Sequence, residues 1–243
     1  MTAPQSRVRR VVTDRHGGHS SAPYAEFNLG DHVGDDPDTV RRNRIRLAEG
    51  IGVDPSRMVW MEQIHSRNVA VVDGPVDHPL EATDAVVTSQ PDLALAVLTA
   101  DCVPVLLSDD EAGVIAAVHA GRVGARIGII PATLEVMVAQ GADISRIGAL
   151  LGPAAAGESY EVPPQMQADV EAHLPGSACR TAKGTTGLDL RAGIRRQLLD
   201  AGVAAVAVDP RDTITDTDLF SHRRGAPTGR LASVIWRDTT PES

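Results

Sequence analysis

The stretch LALAVLTADCVPVLLSDD, Leu93–Asp110, has the apolar density of a buried β-strand with a single polar interruption. Apolar residues dominate up to Thr99, and the apolar run resumes at Val103. Asp101 and Cys102 stand between the two halves, where a purely structural core strand would carry Val or Leu. Because the chain has only two cysteines, the one placed beside a carboxylate here raises the question of its role.

Short strands alternate with amphipathic helices along the rest of the chain. Runs rich in Val, Ile or Leu and bounded by Gly, Pro or Asp predict strands at Arg7–Thr13, Met58–Ile64, Val69–Val72, Ala85–Thr88, Leu93–Leu107, Val114–His119, Ile147–Leu151, Val203–Val208 and Leu231–Trp236. Helices are predicted from the N-cap Asp36 to Gly50 or Gly52, and at Pro131–Gln140, Pro164–Leu174 and Leu190–Ala201. The polar segment Gly176–Gly187, which contains Cys179, predicts a surface loop.

The order of these elements favours one fold class. Strands outnumber helices and follow no strict βαβ rhythm, which argues against a doubly wound parallel sheet. With 243 residues, no internal repeat and no low-complexity tract, the chain is long enough to bury one large core. We therefore expect a single mixed α/β domain over residues 1–243, with a β-rich core at about residues 7–237 flanked by helices.

Charge and composition narrow the range of partners. The formal net charge of −9 disfavours a nucleic-acid backbone as the main partner, since that interaction needs a basic surface. The N-terminal residues show no apolar signal-peptide core, and Leu93–Leu107 is too short and too interrupted to span a bilayer. We expect a cytoplasmic protein with no membrane partner. A disulfide between Cys102 and Cys179 is possible, but no cysteine pattern supports it.

Two histidines stand in positions similar to that of Cys102. His65 follows one predicted strand and His119 ends another. Strand ends can converge in space, and three such ligands with a free fourth position describe a catalytic zinc site. Copper is the alternative metal, and a metal-free cysteine nucleophile with either histidine as its base needs the same residues. Taken singly, each histidine also fits a structural role, and the cysteine fits that of a small apolar side chain.

Arginines are densest in the segment FSHRRGAPTGR of this acidic chain. Arg223, Arg224 and Arg230 there can bind phosphate bidentately, and the alternative is a solvated basic loop. A second candidate anion site is the glycine-containing loop with Asn28, which precedes a predicted helix N-terminus. That loop lacks the spacing of a P-loop or of a dinucleotide-binding motif.

Several motifs occur in an order that resembles a known family. The sequence contains, in this order, FNLGDHVGDD, NRIRLA, QIHSRNV, TADCVPVLL, VHAGR, LLGPA and FSHRR. This order is similar to that of the laccase-domain proteins, also called the purine nucleoside phosphorylase / multicopper polyphenol oxidase family, some of which are described as peptidoglycan editing factors. The resemblance extends from about Val11 to Trp236. It implies the laccase-domain fold, which is of the cytotoxic necrotizing factor-like type.

The resemblance also implies an activity. It implies that His65, Cys102 and His119 bind zinc, with copper as the less favoured alternative. It implies phosphorolysis of adenosine, inosine and S-methyl-5′-thioadenosine, with deamination of adenosine at the same site. Purine nucleosides and phosphate are then the expected partners, and the chain is expected to be a monomer or a weak homodimer. A copper-dependent polyphenol oxidase and a metal-free cysteine hydrolase of cell-wall precursors are the alternatives.

Further site residues follow from motif position and charge. Asp101, beside the cysteine ligand, is a candidate proton shuttle, with an anchoring role equally compatible. Arg44 joins Arg223, Arg224 and Arg230 as a candidate phosphate ligand. The chain departs from the family pattern after its last ligand, where HAGRVG, with Arg122, replaces the HAGWRG of many members.

Overall fold

A computed structural model describes residues 7–239, and in this part of the chain two β-sheets pack face to face between helices. The strands are β1 (Arg7–Val12), β2 (Met58–Val59), β3 (Val69–Val71), β4 (Ala85–Thr88), β5 (Ala94–Thr99), β6 (Val103–Asp109), β7 (Val114–Ala120), β8 (Gly148–Leu151), β9 (Ala178–Arg180), β10 (Thr186–Leu188), β11 (Ala205–Val208) and β12 (Leu231–Asp238). The helices are α1 (Pro37–Gly50), α2 (Arg122–Arg126), α3 (Ile129–Ala139), α4 (Pro164–His173) and α5 (Leu190–Asp200), with short 3₁₀ helices at Pro55–Arg57 and Ile144–Arg146.

The two sheets have mixed topology. One contains four strands in the order β1-β12-β5-β2, in which β5 and β2 are parallel and the other pairs antiparallel. The second contains six strands in the order β11-β8-β6-β7-β4-β3, with antiparallel pairs in the centre and a parallel pair at each edge. Strands β9 and β10 form a separate hairpin. This arrangement confirms the mixed α/β class predicted from the sequence and excludes a doubly wound parallel sheet.

The stretch Leu93–Asp110 turns a corner between the two sheets. Strand β5 belongs to the four-stranded sheet and β6 to the six-stranded sheet, so the prediction of one strand over Leu93–Leu107 is wrong. Residues 100–102 make the corner, and Asp101 adopts a φ of 98° there. The run looks continuous in sequence because both faces of both sheets are covered, so apolar residues are needed on either side of the corner.

The alternation of side chains along β5 shows how both of its faces are buried. Leu95 and Val97 belong to the apolar cluster between the sheets, whereas Ala94, Ala96 and Leu98 belong to the cluster on the opposite face. That second cluster includes residues of α1, so the helix covers the outer face of the four-stranded sheet. Residues of α3 and α5 cover the outer face of the six-stranded sheet in the same way.

The four predicted helices begin and end close to where the sequence places them, whereas α2 was not predicted. The Asp36 side chain accepts a hydrogen bond from the Thr39 N–H at 2.7 Å, which confirms the predicted N-cap of α1. Helix α3 begins at Ile129, before the predicted Pro131, directly after Gly128, which adopts a left-handed φ of 93°. Among the helices of residues 7–239, none is both long and apolar enough to cross a membrane.

Two local predictions need correction. The segment Gly176–Gly187 contains β9 and most of β10 and is not an irregular loop, since Gln167 donates hydrogen bonds to the carbonyls of Cys179 and Gly187 and ties the hairpin to α4. The predicted strand Met58–Ile64 pairs only at β2, with an isolated bridge at Met61. Predictions that concern residues 1–6 and 240–243 lie outside the described residues.

Candidate metal centre and its pocket

The structure brings His65, Cys102 and His119 together at one end of the β6–β7 hairpin. Cys102 directly precedes β6, and His119 lies opposite Pro104 in the register of β7. His65 reaches the same point from the loop after β2, with a φ of 62°. The three ligand atoms lie within 4.8 Å of one another, and the two imidazole rings meet edge to face with centroids 4.7 Å apart. These three residues can therefore hold one metal ion.

One separation between ligand atoms is close to that expected around a zinc ion. Cys102 Sγ lies 3.6 Å from His65 Nε2. Zinc–sulfur bonds of about 2.3 Å and zinc–nitrogen bonds of about 2.0–2.1 Å at a tetrahedral angle imply a sulfur–nitrogen separation of about 3.5 Å. A donor set of one thiolate and two imidazoles suits zinc, and a three-residue set leaves a fourth position for water or substrate.

Gly121 gives the three ligands room to approach one another. A Cβ atom at this position would come within 2.5 Å of His65 Cδ2 and 3.0 Å of Cys102 Sγ. Alanine there would force the ligand side chains to move, because real Cβ contacts at those distances are repulsive. The glycine of the HAG motif is thus required by the close approach of backbone and ligands.

A buried carboxylate that the sequence analysis missed orients two of the ligands. The side chain of Asp84 is fully buried and lies 2.8 Å from His119 Nδ1. It also accepts hydrogen bonds from the backbone N–H groups of Ile64, His65 and Ser66 and from the Ser66 hydroxyl. With Nδ1 of His119 engaged, Nε2 remains to bind a metal. The one sequence signal was a carboxylate directly ahead of the fully buried strand β4.

The ionisable groups at this end hold one another in their charged forms. Burial alone would raise the pKa of Asp84, but hydrogen bonds from His119 and Ser66 outweigh it and bring that pKa to about 2. Desolvation likewise opposes the Cys102 thiolate, yet the charge of His119 lowers the thiol pKa to about 6. The pKa of His119 is raised in return, against its burial, by the Cys102 thiolate and Asp84. The site therefore favours a thiolate, the form of cysteine that binds metals.

A pocket of about 580 Å³ opens above the three ligands. Among the residues named from the sequence, Asp101, Arg223 and Arg230 line it together with the three ligands. Burial lowers the pKa of Arg230, and the nearby charges of Cys102 and Asp101 oppose that effect. The pocket therefore combines a candidate metal site with cationic groups in a single cavity. Its lining also includes residues to which the sequence analysis gave no site role, among them His32, Gln63, Arg122 and Tyr160.

Asp101 is held as an anchor on the wall of this pocket. Its Oδ1 accepts a hydrogen bond from the Thr213 hydroxyl at 2.7 Å, and its Oδ2 accepts one from the backbone N–H of Arg223 at 2.7 Å. Both carboxylate oxygens are engaged by the protein, which favours the anchoring role over the proton shuttle among the two roles expected from the sequence.

Three of the residues expected to bind the anion do not line the pocket. Asn28 is fully buried, and its side chain bonds to Gly30, Asp35 and the Arg230 backbone. Arg44 lies over the Trp60 ring at 4.2 Å and pairs with Asp31, away from the three ligands.

The third of these residues is Arg224. Its guanidinium donates to the backbone carbonyls of Thr213, Ile214, Asp216 and Leu219. Such a set of bonds stabilises a loop and leaves little of the side chain for a ligand. The sequence could not separate Arg224 from its neighbour Arg223, because only the turn they share decides which one faces the pocket.

The two cysteines do not form a disulfide. Both are free, Cys102 in the pocket and Cys179 on the β9–β10 hairpin. Burial and the charge of Asp189 raise the pKa of the Cys179 thiol, in contrast to that of Cys102. Cys179 Sγ contacts the Gly157 carbonyl at 3.4 Å, which agrees with a packing role.

Comparisons with known proteins agree with the order of motifs. Residues 9–238 match the family described as multi-copper polyphenol oxidoreductase laccase. A Corynebacterium glutamicum protein named purine nucleoside phosphorylase is 62% identical over 236 residues, which cover 96% of each chain. A Mycobacterium bovis protein also named purine nucleoside phosphorylase is 57% identical over 232 residues, which cover 96% of this chain and 93% of that protein.

Solved structures show the same fold. YlmD from Geobacillus stearothermophilus superimposes with a TM-score of 0.89 at 32% identity, covering 97% of this chain and 93% of that one. A Neisseria meningitidis protein of the family called DUF152 superimposes with a TM-score of 0.84 at 34% identity, covering 95% and 94%. These similarities confirm the fold that the sequence resemblance implies.

Proposed function

This chain belongs to the family described as multi-copper polyphenol oxidoreductase laccase, and we propose that within this family it is a zinc-dependent purine nucleoside phosphorylase. Its substrates are adenosine, inosine and S-methyl-5′-thioadenosine, which phosphate converts to the free base and the corresponding (methylthio)ribose 1-phosphate. Deamination of adenosine takes place at the same site. The names of the relatives that share 57–62% of its residues support the nucleoside phosphorylase activity.

One observation carries this proposal: a single pocket holds both the three-ligand group and three arginines, Arg122, Arg223 and Arg230. The chain is acidic, with a net charge of −9, so its long-range field repels a phosphate dianion. Phosphate must then be held by local donors, and Arg223 and Arg230 are the candidates from FSHRRGAPTGR that line the pocket. A nucleoside bound between the arginines and the ligand group would lie next to both the phosphate and the candidate metal site.

Phosphorolysis at this site needs charge placement and orientation. A phosphate oxygen forms a bond to C1′ of the ribose while the C1′–N9 bond breaks, its electron pair leaves with the purine, and the purine takes up a proton. Arg223 and Arg230 hold the phosphate near C1′ and balance its charge. Arg223 lies over the Tyr160 ring at 4.9 Å, so the aromatic face limits where its guanidinium can point.

The ligand group serves the deamination step. Asp84 fixes the ring of His119 through Nδ1, and it fixes the backbone of His65 through its N–H. Cys102, His65 and His119 would hold zinc, which when bound supplies the Lewis acidity that makes water nucleophilic near neutral pH. In the deamination, water adds at C6 of the adenine ring of adenosine and the amino group leaves as ammonia, which gives inosine.

A turnover assay with matched substrates tests this proposal. With adenosine and phosphate, the products expected are adenine and ribose 1-phosphate from phosphorolysis and inosine from deamination. Metal analysis should find about one zinc per chain, and a chelator should suppress both reactions, because one metal site serves both. Omission of phosphate should abolish release of the base and leave deamination in place. A wild-type protein that releases no base from any of the three nucleosides would contradict the phosphorylase assignment.

A metal-free cysteine hydrolase of cell-wall precursors is a second candidate. Cys102 would be its nucleophile, His119 its base, and Asp84 the carboxylate that orients the base. Asp84 orients His119, and His119 in turn stabilises the Cys102 thiolate. Activity towards such precursors in zinc-free protein, together with loss of that activity in Cys102→Ser, would favour this candidate. The copper oxidase alternative has less support, since the structure of residues 7–239 offers one three-ligand group where multicopper chemistry uses several centres.

A further inference from the structure

We propose that Asp101 is a positioning residue, which holds the segment carrying Arg223 against the Cys102 corner and thereby sets the contact with phosphate. This inference rests on the proposed phosphorylase function. It assigns to Asp101 an effect on the binding of one substrate, phosphate. This effect acts through Arg223 and involves no proton transfer by Asp101.

Three separate segments of the chain meet at Asp101. Its side chain accepts the Thr213 hydroxyl at 2.7 Å and the Arg223 N–H at 2.7 Å, and its backbone carbonyl accepts the Ala155 N–H at 3.0 Å. The two side-chain bonds join residues 112 and 122 positions apart in sequence. Asp101 thus fastens the corner between the two sheets to the segments that build the wall of the pocket.

The bond from Arg223 places its guanidinium. The main chain of Arg223 is fixed at Asp101, and its side chain donates to the Glu161 carbonyl at 2.9 Å while lying over Tyr160. A guanidinium has five N–H donors, so most of them remain for an anion after the bond to Glu161. A donor that is already oriented loses less conformational entropy when phosphate binds, and the affinity for phosphate rises accordingly.

The backbone of Asp101 makes a clean test possible. Its φ of 98° is strained for most residues but is readily adopted by glycine. Asp101→Gly therefore removes the carboxylate without forcing the corner to change. Asp101→Asn can keep both bonds, because Oδ1 can accept the Arg223 N–H and Nδ2 can donate to the Thr213 oxygen. Asparagine cannot carry a proton between substrate and solvent, so this variant separates positioning from proton transfer.

The experiment measures the KM for phosphate and for inosine, kcat and zinc content in both variants. In Asp101→Gly we expect the phosphate KM to rise about tenfold, with the inosine KM and zinc content within about twofold of wild type. In Asp101→Asn all four quantities should stay within about threefold of wild type. Asp212→Gly is the matched control, since Asp212 fastens Ala156, Ile214 and Thr215 in the same region without bonding to Arg223, and its phosphate KM should not change.

A double-mutant cycle shows whether Asp101 acts through Arg223. Arg223→Ala should itself raise the phosphate KM, and adding Asp101→Gly to it should raise that KM little further. Additive effects would overturn the inference, as would a folded Asp101→Asn protein whose kcat falls at least 100-fold. Even if Asp101→Gly does not fold, the asparagine variant shows whether Asp101 acts by hydrogen bonding or by proton transfer. A wild-type protein without phosphate-dependent turnover contradicts the proposed function itself, whereas these variant outcomes contradict only the role of Asp101.

Discussion

A fully buried aspartate lies at each end of the β6–β7 hairpin, and the two aspartates, Asp109 at the end of β6 and Asp84 just before β4, have different partners. At one end, Asp109 accepts backbone N–H groups from Glu111, Ala112 and Asp143 and bonds to the guanidinium of Arg146. At the opposite end, Asp84 accepts backbone N–H groups from residues 64–66 and bonds to His119. The backbone part of the two arrangements is nearly the same.

The two ends differ in whether the side chain that bonds to the aspartate keeps a further reactive atom. This difference separates a structural arrangement from a functional site. Arg146 also contacts Glu111 and Asp143, so its charge is balanced by surrounding carboxylates. His119 uses one ring nitrogen for Asp84 and presents the other to Cys102 and the pocket. A buried carboxylate is therefore informative about function when its partner has a second reactive atom that faces a cavity.

The largest expected difference between the two ends comes from removing one side chain at each. Cys102→Ala should reduce zinc content from about one per chain to near zero and reduce turnover more than about 100-fold, since loss of a ligand exceeds the 10–100-fold typical of an outer partner. Arg146→Ala should leave zinc content unchanged but lower the free energy of unfolding, because it leaves Asp109 with a weaker set of partners.

The measurements are metal analysis, turnover of inosine and denaturant unfolding on the same preparations. Cys179→Ala is the matched control for the cysteine, and it should keep its zinc and its activity. If Cys102→Ala retains stoichiometric zinc, the distinction between the two ends is lost. Cys102 would then be a structural residue, as Arg146 is at the other end.

A smaller effect is expected when the two aspartates are exchanged for asparagine. Asp84→Asn should weaken zinc binding about 10–100-fold, since it removes the negative charge that orients and polarises His119. Asp109→Asn should not affect zinc affinity. Competition with a chromogenic chelator measures both, and equal zinc affinities in the two variants would show that Asp84 is only a packing element.

The smallest effects concern the arginines. Here too the question is whether the side chain keeps donors that the protein itself does not use. Arg223→Ala and Arg230→Ala should each raise the phosphate KM about tenfold, because hydrogen bonds to charged groups contribute about 1.5–3 kcal/mol. Arg224→Ala should change stability more than phosphate KM, since four backbone carbonyls already bind its guanidinium. Deamination should fall much less than phosphorolysis in the first two variants. A rise in phosphate KM confined to Arg224→Ala would contradict the assignment.

Much of the site was visible in the sequence because its residues interrupt otherwise regular patterns. Cys102 breaks an apolar run, and His65 and His119 stand at or near predicted strand ends, so their positions could be compared without knowing the fold. Asp84 escaped notice because a carboxylate before a strand is also a common strand boundary. Its role depends on a contact with His119, 35 positions away, which no local pattern specifies.

The sequence by itself determined the fold class, the boundaries of α1, α3, α4 and α5 within a few residues and the three candidate ligands, because capping, hydrophobic period and residue chemistry act over short distances. Only the tertiary structure decided that Leu93–Asp110 serves two sheets, that Arg223 and Arg230 face the pocket while Arg224 does not, and that both carboxylate oxygens of Asp101 accept hydrogen bonds from distant segments. Those outcomes depend on which distant groups satisfy each buried polar atom. That matching is settled only when the whole chain packs, because every buried donor and acceptor needs a partner.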